Sequence, residues 1–200
     1  MKEELREEIR RVIKIEGECR GVSIESPLNY VELNYEKDKL MAIETILKEF
    51  GIPGKDETKV LAKYPIGCMT ATHLVIKDFL DWSDDDVEKM GYALPQISFI
   101  VRTLSRYFIS VERTFQESSN YWKKHFTLGK LVPVEIDIDK KYLILRIEGY
   151  MTNPIDCKLF TGYFSRMISY TIKAKEVYGE EVECSHKGGD CHQFVVRWKD

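Results

Sequence analysis

Three of the five cysteines and two of the four histidines fall near the C-terminus: Cys157, Cys184, Cys191, His186 and His192. Thiolate, imidazole and carboxylate are the groups with which zinc builds tetrahedral sites. Cys184 and Cys191 flank Gly188-Gly189, which can turn the chain so that both thiols face one point. Glu181 lies just before this turn and offers a third ligand. Cys157, at the start of the preceding predicted helix, offers a fourth. Such a quartet would clip that helix to the C-terminal hairpin and leave no open position for catalytic water, which is structural work. His186 and His192 are chemically suited to replace Glu181. A Cys184–Cys191 disulfide, or two ordinary hairpin cysteines, are the competing readings. Cys19 and Cys68 stand apart and read as plain thiols.

A second candidate is an apolar ligand pocket. Phe99, Tyr107, Phe108, Phe115, Tyr121, Trp122 and Phe126 recur along one stretch, and Phe160, Tyr163 and Phe164 follow later. They could line a cavity or simply fill a core. His125, in Tyr121-Trp-Lys-Lys-His125, could be a polar anchor inside that pocket, though a solvated helix face explains the segment as well. Thr72-His73 could belong to a haem-ligating helix. Asp84-Asp85-Asp86 is explained by the dipole at a helix start. The sequence contains no Ser-His-Asp order, phosphate-cradling glycine loop or dinucleotide fingerprint, so no catalytic residue is assigned.

The elements that must position these groups come in a distinctive order. Residues 2–15 carry a helix-like apolar stripe, Gly21–Asn29 reads as an interruption around Pro27, and residues 33–50 form a second helix stopped by Gly51-Ile-Pro53-Gly54. Residues 55–66 read as a connector and Thr70–Trp82 as a helix. Ser83 caps a short helix ending near Gly91, and Pro95 starts another, which runs on or restarts near Ser110 and closes at Gly129. Val132–Asp139 and Lys141–Ile147 alternate with period two and form a hairpin. Asn153-Pro154 opens a helix over 154–173, and Glu180–Cys184 with Cys191–Trp198 form a second hairpin. Local hairpins imply an antiparallel sheet packed against several helices, an α+β fold.

Two hundred residues with 44% apolar and 12% aromatic content support a folded core, and a formal charge of −3 gives no bias towards nucleic acid. The charged N-terminus lacks a signal-peptide pattern and no apolar run is long enough to span a membrane, so a cytoplasmic protein is expected. An odd cysteine count in that compartment argues for metal ligation over a disulfide framework.

Glu181-x-x-Cys184, the glycine-containing turn, Cys191 and the closing Phe194-Val-Val resemble the end of the 4-vinyl reductase domain family. Cys157 matches the cysteine that completes zinc ligation in related phenol-sensing activator domains. The resemblance covers residues 125–200 and extends back to about 65. It departs from the family pattern at His192-Gln193, where an aromatic residue usually stands nearer the last cysteine. The family is similar in fold to TRAPP-complex subunits and, more remotely, to haem-based nitric-oxide sensors. It implies a small hydrophobic ligand held between helices and sheet, with structural zinc bracing the floor. Residues 61–200 would form this domain, with residues 1–60 a helical extension suited to dimerisation. A homodimer signalling through a partner protein is the expected mode; an adaptor of TRAPP-subunit type is the alternative, and an enzyme of pigment, tetrapyrrole or aromatic metabolism the remotest one. Tyr163-Phe-Ser165-Arg166 lacks the Tyr-x-Ser-x-Arg spacing of the haem sensors, so haem is not expected.

Overall fold

The computed structural model describes residues 2–98, 110–172 and 174–199. The chain begins with α1 (Glu3–Val12), β1 (Glu18–Arg20), α2 (Val22–Asn34) and α3 (Lys37–Glu49). There follow β2 (Lys63–Pro65), α4 (Ile66–Phe79), α5 (Asp84–Ile97) and α6 (Val111–His125). The C-terminal part is β3 (Lys130–Asp137), β4 (Tyr142–Glu148), α7 (Pro154–Ser169), β5 (Glu176–Glu183) and β6 (His192–Lys199). No described helix is long and apolar enough to cross a membrane.

The two predicted hairpins join into one antiparallel sheet of order β3-β4-β6-β5. Its inner face carries Leu143, Leu145 and Ile147 from β4 and Phe194, Val196 and Trp198 from β6, alternate residues as a pleated strand demands. Against this face lies α7, whose Phe164 ring meets Phe194 edge-on at 5.2 Å between centroids. The fold is therefore α+β, as the element order predicts.

Backbone proximity explains the next layer. A Cβ on Gly91 of α5 would lie 2.1 Å from the Leu159 carbonyl oxygen, and one on Gly162 of α7 would lie 2.0 Å from that of Glu88. The two glycines let α5 and α7 touch along their backbones, which any side chain would prevent.

Local signals set several boundaries. Ser83 Oγ accepts from the Asp86 amide while Asp86 accepts from the Ser83 amide, a closed capping box. Asn153 caps α7 by accepting from the Ile155 amide at 2.9 Å. Two helices depart from expectation. The stretch around Pro27 is helical, inside α2, and Pro95 lies within α5 rather than opening a new helix. Proline forbids one backbone hydrogen bond and crowds the carbonyl four residues back. The connector before α4 contains β2, which pairs with β1 across Cys19↔Tyr64.

Residues 1–60 share the common apolar core: Ile9, Val12, Ile24, Leu28, Ile43 and Leu47 are all fully buried within it. The side chain of Arg11 on α1 donates to the Thr152 carbonyl at 2.6 Å, and Asn153 donates to Glu8 at 2.6 Å. Helix α1 thus holds the loop that launches α7.

Candidate functional site

Two groups of chemistry-bearing side chains meet at the start of α7. The first is a cluster of Cys157, Glu181, Cys184 and His192, whose ligand atoms all lie within 4.8 Å of one another. Cys157 Sγ is 4.0 Å from Cys184 Sγ and 3.4 Å from His192 Nδ1, and His192 Nδ1 is 3.0 Å from Glu181 Oε1. Both cysteines and His192 are buried. His192 Nε2 donates to the Tyr150 carbonyl at 2.8 Å, which leaves Nδ1 as the ring's lone-pair nitrogen.

The cluster differs from the predicted quartet at one position. Cys191 is not in it: its thiol lies beside Glu183, and His192 takes its place. His192 opens β6 with the same parity as Phe194, Val196 and Trp198 and so faces inward, whereas Cys191 precedes the strand. A second irregularity brings Glu181 in. The β5–β6 register shifts between Glu181 and Glu183, leaving Val182 exposed. This extra residue reverses strand parity, so that Glu181 and Cys184 converge although they are three apart. His186 stands nearby, its ring 5.2 Å from that of His192, with Nε2 buried and unbonded.

Burial drives the Cys157 thiol well above its ordinary range, reinforced by the negative charge of Glu181 and by Cys184. Burial also pulls the Glu181 carboxyl upward, but the adjacent His192 ring and the thiols of Cys157 and Cys184 outweigh it and hold it below the usual value.

The second group lines a cavity of about 150 Å³ bordered by α2, α4, α5, α6, α7 and the sheet. Trp122, His125, Phe160 and Tyr163 all stand on its wall, with Met69, Leu94, Phe115 and Phe164. Trp122 and Phe160 meet at 5.4 Å between centroids. Phe99, Tyr107 and Phe108, also assigned to the pocket from sequence, lie outside the described residues. Burial, with Arg20 and Lys124 nearby, lowers the affinity of His125 for a proton.

Asp156, which sequence reading passed over, sits between the two groups. It is fully buried and accepts four hydrogen bonds. Thr70 and Thr152 donate at 2.7 Å, Tyr150 at 3.1 Å, and His73 Nδ1 lies 2.8 Å from its other oxygen. Burial alone would raise this carboxyl, but His73, Thr152 and Thr70 bring it below the ordinary value. Its place in the first turn of α7 adds the favourable end of the helix dipole.

No family model matches the chain, and no curated protein matches it. Solved structures do. The Fe(II) unliganded H-NOX protein of K. algicida superposes with a TM-score of 0.64 at 13% identity, over 90% of this chain and 97% of that one. The chain has the H-NOX fold. An Fe(II) H-NOX protein of S. oneidensis gives 0.67 at 15% identity, covering 90% and 96%. A structure probing haem distortion in the H-NOX family gives 0.61 at 12%, covering 90% and 95%.

The cofactor expectation needs correction on this ground. The sequence reading takes zinc as the cofactor and sets haem aside, whereas solved structures with this fold are of Fe(II) and haem proteins. One described group suits haem iron: His73 lies on the cavity wall with Nε2 unbonded and Nδ1 tied to a carboxylate, the orientation that presents an imidazole to a metal.

Proposed function

We propose that this chain is a ligand-binding sensor domain whose ligand, a small uncharged molecule, occupies the cavity between helices and sheet. The observation that carries this reading is the cavity itself: about 150 Å³, walled mainly by apolar and aromatic side chains, with no lysine or arginine among the described lining residues. A cavity of roughly this volume holds a molecule the size of benzene. Nearly all the lining residues lie beyond residue 60, which supports residues 61–200 as the ligand-binding part. The outer faces of the N-terminal helices, where Leu33 and Met41 are exposed, would be available for self-association, and a partner protein would read the ligand state. The 4-vinyl reductase assignment belongs to this reading and is supported by the C-terminal residues that carry the resemblance.

The Cys157, Glu181, Cys184 and His192 cluster is proposed as a metal site bracing α7 against β5 and β6. Its support is the pairing of two hydrogen-bond acceptors, His192 Nδ1 and Glu181 Oε1, at 3.0 Å beside two thiols. Four-coordinate geometry around one ion would place two sulfurs roughly 3.8 Å apart and sulfur from nitrogen roughly 3.5 Å. The corresponding distances are 4.0 and 3.4 Å.

His73 favours a second reading, in which its Nε2 would hold the iron of a haem bound in a widened cavity. Titrating the purified chain with haemin and with a panel of single- and double-ring compounds separates the two. A Soret band that disappears in His73→Leu supports haem, whereas a rise in melting temperature with ring compounds supports the small-ligand reading. Silence in both assays would leave the sensor reading without support.

A further inference from the structure

Six buried side-chain polar atoms among the described residues have no hydrogen-bond partner, and two of them belong to residues of the cavity wall: His73 Nε2 and Thr114 Oγ1. A buried polar atom left unpaired costs about 1–3 kcal/mol, so it marks a place where a partner is missing. His73 is 1% exposed, and its orientation is fixed from behind. Asp156 is already the acceptor for Thr70, Thr152 and Tyr150, so Nδ1 of His73 must donate to it. In the neutral ring this leaves Nε2 with an unpartnered lone pair, on a residue of a predominantly apolar cavity wall.

We infer that His73 is the polar anchor of the cavity ligand, its Nε2 accepting a hydrogen bond from an N–H or O–H group on an uncharged ring-sized molecule. Asp156 is the positioning residue that selects this tautomer. Thr114, whose hydroxyl can donate or accept, supplies a second contact for a ligand carrying a carbonyl or ether beside its donor. The inference deepens the small-ligand reading and depends on it.

Three bicyclic probes of nearly one shape test it: indole, which can only donate; indene, which has no polar group; and 1-indanone, which can only accept. Calorimetry on the full chain should show indole binding about tenfold more tightly than indene, the effect of one buried hydrogen bond, with 1-indanone no better than indene. His73→Leu should remove the preference for indole. Asp156→Asn should turn its amide N–H₂ towards Nδ1, force the proton onto Nε2, and move the preference from indole to 1-indanone. Imidazole ¹⁵N shifts should report the exchanged tautomer. Equal binding of indole and indene by the unmodified chain, or a preference for 1-indanone, overturns the anchor role while leaving the cavity reading intact. Binding of none of the three overturns both. The indole-to-indene ratio needs no substitution, so it decides even where a variant does not fold.

Discussion

His192 Nδ1 lies 3.0 Å from Glu181 Oε1, and the other ring nitrogen is committed to the Tyr150 carbonyl. Two acceptors at that separation repel unless a proton or a cation lies between them. In a pocket that also holds two thiols, a metal ion satisfies all four groups at once.

The metal reading therefore has a sharp signature. Elemental analysis should find about one ion per chain in the unmodified protein and in Cys191→Ser, and loss of the ion in Cys184→Ser and His192→Ala. Retention by His192→Ala together with loss in Cys191→Ser would reject the ligand set. Removing the ion with a chelator should lower the melting temperature, because a metal that binds only the folded chain adds its binding free energy to stability.

The contact of α5 with α7 leaves no room for a methyl group. Gly91→Ala would bring Cβ within 2.1 Å of the Leu159 carbonyl, and Gly162→Ala within 2.0 Å of the Glu88 carbonyl. Neither obstacle is a movable side-chain tip. Each substitution should cost about 3 kcal/mol in chemical denaturation through forced backbone separation. A loss smaller than about 1 kcal/mol would mean that the helices part easily.

Acid should destabilise the chain in two steps. His125 holds its proton less well than its ordinary value of 6.5 because of burial, with Arg20 and Lys124 contributing. The unfolded chain therefore takes up that proton first. Stability fully present above about pH 7 should decline as pH falls through the folded-state value. Asp156 follows in the carboxylate range: its folded value is depressed, so its contribution is present above the unfolded value and lost below it. Thermal melts between about pH 7.5 and pH 5.5 should show the first step, to which His186, also lowered by burial, adds, and His125→Asn should make it shallower. An equally steep decline in that variant would assign the step elsewhere.

What the sequence reveals here is what local chemistry decides. Both hairpins, the Asn153 cap and the Ser83 box depend on residues within a few positions of one another. Pro27 and Pro95 mislead because proline disfavours a helix interior without forbidding it, and packing of the flanking turns keeps both helices running. The β1–β2 pair is invisible in sequence because three-residue strands separated by more than forty positions carry no period. In the metal cluster, residue types suggest the chemistry, but a bulge at Val182 and the parity of β6 decide that His192 enters and Cys191 does not. Asp156 gives no signal beyond an acid in the first turn of a helix. Its meaning comes from Thr70 and His73, which lie more than eighty residues away.

Tyr150 presents opposite ends to the two groups: its carbonyl receives His192 and its hydroxyl donates to Asp156, the partner of His73. Asp156 and Cys157 are themselves consecutive. Occupancy of the cluster and occupancy of the cavity are thus bound to one short piece of backbone, and linkage makes any influence between them symmetrical. Whatever factor an ion in the cluster imposed on the affinity of a cavity ligand, that ligand would impose on the ion. A sensor built this way would answer to two concentrations rather than one.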